Sequence, residues 1–207
     1  CALPICFFRE AAPEPGTLKA CFIGRFVPLK GLGMLVEAAK PLLQAGKLEL
    51  HLVGDGPVAA GLKEQAAGLP GIHFHGWLKH EEVQNVAARC HVLAFPSIRE
   101  FGGGAVLEGM ALGLAPLVVD YGGPADLVTP EVGIKIPLTT REEMTQALQQ
   151  ALEQMAANPG QTARMGQASR QRVTELFTWP RRAEQIAQIY DWVLGRRPTR
   201  PEPITPS

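Results

Sequence analysis

Nothing in this chain ties it to a nucleic acid, a bilayer or the exterior of a cell. Its 207 residues carry 20 basic and 20 acidic side chains, so no overall field draws it to polyanions or to an anionic membrane. No apolar run is long enough to span a bilayer. Cysteine is scarce: Cys1, Cys6, Cys21 and Cys90 have no metal-binding spacing. Cys21 and Cys90 stand beside apolar strands and read as buried thiols of a reducing compartment. The expected location is the cytoplasm. The clusters Arg181-Arg182 and Arg196-Arg197 read as solvated helix faces, with peripheral contact at the inner face of a membrane as their second use. His73 and His75 alternate on one strand face, but no third ligand stands near them in sequence, so no metal is expected.

What the chain does have is aliphatic residues and glycine, 46% hydrophobic with 22 glycines. Apolar runs at 18–24, 48–53, 72–76, 91–95, 115–119 and 132–136 alternate with stretches of helical composition. That alternation predicts an α/β fold: repeated βαβ units forming a parallel sheet covered on both faces. In such sheets ligands bind beyond the carboxyl ends of the strands. Past residue 138 the chain is helical. Thr140 with Glu143 reads as a capping box opening a helix to Ala157, with Met144, Leu148, Ala151 and Leu152 as its apolar stripe. Asn158-Pro159-Gly160 is read as its stop. Helices over 162–177 and 180–194 follow, the second with Ile186, Ile189, Tyr190 and Val193 at core spacing. Residues 1–16 read as a leader and linker, with 1–7 suspected as an assembly or cloning remnant, and 196–207 as a disordered tail around a domain of 17–195.

Four strand ends carry unusual chemistry. After the strand at 91–95 comes Glu100-Phe101-Gly102-Gly103-Gly104-Ala105 and then Glu108 inside the next helix. Glycines let a backbone approach a ligand, and the free N–H groups of the first helical turn, with the helix dipole, favour a phosphate. A carboxylate suits paired hydroxyls instead. Acids on both sides of a phosphate site therefore fit a ligand with sugar on both sides of a phosphate, which describes a nucleotide sugar. After the first strand, Gly24 leads to two cations, Arg25 and Lys30; after the second comes the turn Gly54-Asp55-Gly56; after the fifth, Gly122-Gly123.

The Glu100 to Glu108 segment, with two glutamates separated by seven residues, resembles the donor site of the GT-B glycosyltransferases, most closely the retaining group called glycosyltransferase family 4. The resemblance implies that Glu100 meets hydroxyls of the donor sugar, that the amides of Gly103 and Gly104 meet the diphosphate, and that Glu108 meets the ribose. Arg25 and Lys30 occupy the places of the family's diphosphate-binding cations. Together with Glu100 they form the implied catalytic set, while Gly24, Gly54, Gly56, Phe101, Gly102, Ala105, Gly122 and Gly123 line the donor site. Phe101 precedes Gly102 here, where relatives have a small residue and then Phe, a departure that bears on the sugar-side contacts. The resemblance also implies the doubly wound strand order of a Rossmann-like GT-B half. The expected activity is transfer of a sugar from a nucleoside-diphosphate sugar to an acceptor glycan, lipid or small molecule in polysaccharide, glycolipid or other glycoconjugate synthesis. The acceptor would be held by an amino-terminal domain outside this chain, leaving the fragment inactive by itself. There is no Asp-x-Asp pair, and Arg25, Lys30 and the helix terminus can stabilise the leaving group instead, so neither cofactor nor metal is expected. A GT-B-type sugar-nucleotide epimerase and a non-catalytic nucleotide-sugar-binding module are the alternative readings.

Overall fold

The computed structural model describes residues 16–202. The leader expected over 1–16 falls outside these except for Gly16, as does the last part of the tail. Six parallel strands, β1 (Leu18–Ile23), β2 (Leu48–Val53), β3 (Ile72–Gly76), β4 (Val92–Phe95), β5 (Ala115–Val119) and β6 (Ile134–Ile136), form one sheet in the order β3-β2-β1-β4-β5-β6. The doubly wound order expected from resemblance is therefore present, and five of the expected strands are reproduced to within a residue. β6 is shorter than expected, because Gly133 packs its Cα against the Pro116 carbonyl and Val132 bonds back to Thr129.

The helices α1 (Leu32–Gln44), α2 (Ala59–Gln65), α3 (His80–Ala87), α4 (Gly104–Ala111), α5 (Gly122–Leu127), α6 (Arg141–Ala157), α7 (Pro159–Leu176) and α8 (Trp179–Val193) connect the strands and close the chain. β4 and β5 are buried at every position. Continuous apolar runs such as Ala115-Pro-Leu-Val-Val119 are what a strand covered on both faces requires. Phe22 of β1 stacks on Phe95 of β4 with ring centroids 5.6 Å apart, so the two middle strands are joined through side chains as well as backbone. Thr140 caps α6 as expected, its hydroxyl accepting the Glu143 N–H at 3.3 Å.

Three carboxyl-terminal expectations need revision. α6 stops at Ala157 as expected, but the next helix starts earlier than 162: Asn158 alone separates α6 from α7, and Pro159 occupies the first turn of α7, where a missing N–H leaves no bond unmade. Ile186, Ile189, Tyr190 and Val193 of α8 do not join the core. They lie on an exposed face, with Tyr190 at 64% and Val193 at 68%. The spacing correctly identified an amphipathic helix, but periodicity cannot say whether the surface it matches belongs to the same domain. The segment from Arg196 folds back along α8, where Arg197 donates to Gln188 and Arg200 lies over the Trp192 ring.

β3 is an edge strand, and its pairing with β2 slips by one residue between Leu52 and Val53, leaving His75 as the extra residue of a bulge. His51, His73 and His75 project from one face of this pair, the His51 ring stacked on both others. Burial, with the charges of His73 and His75, lowers the pKa of His51 to about 4. The native chain then binds fewer protons than the unfolded one between about pH 4 and 6.5, so this group's contribution to stability falls as pH drops through that window. Thermal unfolding followed across it should show the midpoint of the parent falling more steeply with acid than that of His51→Gln; equal slopes would exclude a histidine contribution.

A second prediction concerns Gly166 in α7. A Cβ there would sit 2.2 Å from the Gly113 carbonyl oxygen. Alanine would gain up to about 1 kcal/mol of helix propensity, but it would have to push α7 away from the turn entering β5, at about 1–3 kcal/mol. Gly166→Ala is therefore expected to be net destabilising in urea unfolding, despite being a helix-favouring change.

Candidate functional site

Loops from four strand ends meet where the strand order reverses, between β1 and β4, the position at which doubly wound sheets open a crevice. Backbone bonds fix the loops. Gly24 N–H donates to Val53 O at 3.0 Å, Gly54 N–H to Gly76 O at 2.8 Å, and Phe26 N–H to Asp55 O at 2.8 Å. Across the reversal, Ile98 N–H donates to Leu29 O at 2.9 Å, and Ser97, buried, donates its hydroxyl to the same carbonyl. Gly31 packs so closely on the segment after β4 that a Cβ would lie 2.3 Å from the Pro96 oxygen, and its φ of 69° admits glycine best.

On this frame the proposed catalytic residues separate into two groups. Lys30, in a single 3-10 turn before α1, donates to a carboxylate oxygen of Glu100. Both side chains are about one-fifth exposed, and the ammonium lies 4.8 Å from the centroid of the Phe95 ring. A cation and an acid 70 positions apart in sequence are thus direct partners. Arg25 lies instead on the rim of a neighbouring cavity of about 440 Å³, with Gly24, Gly54 and Glu108. Burial raises the Glu108 carboxyl above the usual carboxylate range, and His80 pulls it partly back. The cavity is completed by Trp77, Leu78, Lys79, His80 and Val83 from the β3–α3 connection. Sequence reasoning missed this group. Its signal was one of only three tryptophans placed just after an apolar run. The α3 start is held in place by the Glu82 carboxylate, which accepts the Lys79 N–H at 2.9 Å.

The glycines divide in the same way. Gly103, at φ 65°, caps α4, and Gly104 and Ala105 form its first turn, so their amides point out of the helix start. Gly102 has open space around it. Gly54 and Gly56 are required by packing, since a Cβ would lie 1.9 Å from the Gly24 oxygen or 2.4 Å from the Phe26 oxygen. Gly122 and Gly123 back the acidic loop: a Cβ on either would lie 2.3 Å from the carbonyl oxygen of Glu100 or Phe101, and Gly123 N–H donates to the latter at 3.2 Å. They support the Glu100 loop from behind. The Phe101 ring is 98% exposed, so that residue acts on the loop through its carbonyl. A larger cavity of about 590 Å³ opens on the far side of the β1–α1 loop, between α1, α2 and the start of α6, but none of the proposed acids or cations lines it.

Comparison with known proteins identifies the family. Residues 17–154 match the family described as glycosyl transferases group 1. Alpha-maltose-1-phosphate synthase of Mycobacterium tuberculosis is 29% identical over 195 residues, spanning 87% of this chain and 49% of that protein. A GDP-mannose-dependent monoacylated alpha-(1-6)-phosphatidylinositol monomannoside mannosyltransferase of Corynebacterium glutamicum is 27% identical over 175 residues, 80% of this chain and 45% of that protein. The chain therefore spans about half the length of these relatives. Among solved structures, sucrose-phosphate synthase from Thermosynechococcus elongatus superposes with a TM-score of 0.75 at 26% identity, over 95% of this chain and 52% of that one. Anabaena HepE in complex with UDP and glucose does so at 0.72 and 21%, over 84% and 48%, a likeness of fold. With a doubly wound sheet, charged loops at its reversal and a family match over two thirds of its length, the chain belongs to the group 1 glycosyltransferases, of GT-B fold.

Proposed function

We propose that this chain is the donor-binding half of a retaining, metal-independent glycosyltransferase that takes its sugar from a nucleoside diphosphate. The observation that carries the proposal is the Lys30–Glu100 pair at the strand-order reversal. Each partner satisfies the other, and each is the kind of group that a nucleotide sugar would claim. The diphosphate takes the Lys30 ammonium and the amides at the α4 start; the freed carboxylate accepts hydroxyls of the sugar. Arg25 reaches the phosphates from the cavity rim, and Glu108, inside that cavity, accepts the ribose hydroxyls.

In the reaction, the bond from the anomeric carbon to the diphosphate oxygen breaks with its electron pair going to that oxygen. Arg25, Lys30 and the α4 dipole stabilise the resulting charge. The acceptor oxygen bonds to the anomeric carbon on the same face, and its proton passes to the departing phosphate. The acceptor is held by a second domain, consistent with relatives about twice as long. The exposed apolar face of α8, with Ile186, Ile189, Tyr190 and Val193, is the surface we assign to that domain. An epimerase of the same architecture would need no acceptor, which product analysis of the full-length enzyme distinguishes.

Calorimetric titration of the chain with UDP, GDP and ADP and their sugar conjugates, with EDTA and with magnesium, tests the donor site. One nucleotide should bind selectively with or without magnesium. Lys30→Ala should weaken it at least about tenfold through loss of a charge-assisted contact, and Glu108→Ala should weaken it as well. Glu100→Gln should bind the bare diphosphate about two- to fivefold more tightly, because a partly exposed ion pair worth up to about 1 kcal/mol no longer competes, while its preference for the sugar conjugate falls. Weaker binding of the bare diphosphate by Glu100→Gln would refute the exchange of partners.

A further inference from the structure

The histidines of the sheet edge form a second constellation away from the donor loops. β2 presents Glu49 and His51 on the same face as His73 and His75 of β3, and His51 stands directly opposite His73 in the register. The third ligand that the sequence around His73 and His75 did not supply comes from the neighbouring strand. One ligand atom from each of Glu49, His51 and His73 lies within 4.8 Å of the others. The His51 Nε2 atom is buried with no hydrogen-bond partner, 3.7 Å from a Glu49 oxygen. Its other ring nitrogen, Nδ1, lies 3.0 Å from His75 Nε2.

We propose that Glu49, His51 and His73 bind a divalent transition-metal ion of the zinc type, with His75 orienting His51 from behind. The donor set is two imidazoles and a carboxylate, which suits zinc with a water in the fourth position. Tetrahedral ligands about 2.0–2.1 Å from the metal are about 3.3 Å apart, so atoms now up to 4.8 Å apart must draw together by up to about 1.5 Å, within reach of side-chain rotation at a sheet surface. His51 must offer Nε2 as a lone pair. It does so if its proton is on Nδ1 and donated to His75, which is the role of an outer-shell partner to a metal-bound histidine. Lys19 is the opposing group: its ammonium lies 3.2 Å from the same Glu49 oxygen, so the metal engages the second carboxylate oxygen or displaces the lysine, at a cost in affinity.

Such an ion bridges β2 and the edge strand at the bulge. Gly76 and the cavity residues Trp77 to His80 follow immediately, so metal binding would stiffen one wall of the donor cavity without entering it.

The test is titration of the full chain with Zn2+ and, for its visible spectrum, Co2+, using the parent, His51→Gln, His73→Gln and a Cys1→Ser/Cys6→Ser control. The expected result is one equivalent bound, at least about tenfold more weakly by either histidine variant. The cobalt spectrum should show ligand-field bands without thiolate charge transfer, unchanged in the cysteine control, and β3 amides should exchange more slowly with metal. Both histidine variants lie on a partly exposed face, and circular dichroism verifies that they fold. No uptake by the parent, uptake unaffected by the histidine changes, or a thiolate band lost in the cysteine control would each overturn the proposal.

Discussion

The site depends on how closely the segment after β4 can lie against the loop after β1. A parallel sheet whose strand order reverses sends two neighbouring connections to opposite faces, and the gap between them is where a ligand can enter. Here the gap is narrowed by Gly31 against the Pro96 carbonyl and secured by two hydrogen bonds to Leu29 O, from Ile98 N–H and the Ser97 hydroxyl. Because these contacts are made by backbone groups and one buried hydroxyl, all with little freedom, Lys30 and Glu100 are set opposite each other by the fold and not by their own flexibility. The stacked Phe22 and Phe95 rings beneath continue the same join into the core.

Charge is used economically around this join. The chain is neutral overall, and the pairing of Lys30 with Glu100 keeps the crevice nearly neutral as well. Neither group must be buried bare, which avoids the desolvation penalty of an isolated ion. Glu108 is treated differently: burial alone raises its pKa, with only His80 in opposition. The two acids of the motif therefore differ in kind. One is paired with a cation, and the other sits in a largely apolar recess whose polar demand a hydroxylated ligand can meet.

Much of this was legible in the sequence, for physical reasons that particular residues make plain. The buried strands announced themselves because a strand covered on both faces must be apolar throughout, as at 92–95 and 115–119. Glu100, Glu108, Arg25 and Lys30 were found because each follows such a strand end. The partnership of Lys30 with Glu100 was not legible, since it spans 70 positions and depends on strand order. Trp77 and His80 were missed because the β3 end has no glycine cluster to mark it. Gly54, Gly56, Gly122 and Gly123 were read as lining the ligand site; the structure shows that their missing side chains make room for the backbone of adjacent loops, and that Gly54 lines the cavity as well. The third partner of His73 and His75 was invisible because it comes from the neighbouring strand, opposite in register but 22 positions away.

The helix α4 begins at Gly104 and carries Glu108 four residues later, about 6 Å along the axis at 1.5 Å per residue. An anion-attracting end and a hydroxyl-seeking carboxylate are thereby mounted on one rigid rod. Loops around it can shift, but that interval cannot stretch. On the donor-site reading proposed above, the helix acts as a caliper: it sets the span between a ligand's phosphate and its diol, and it is indifferent to the base beyond them. On the same proposal, discrimination among nucleotides falls to the separate wall formed by the β3–α3 connection, where donor identity could be retuned while the gauge stays fixed.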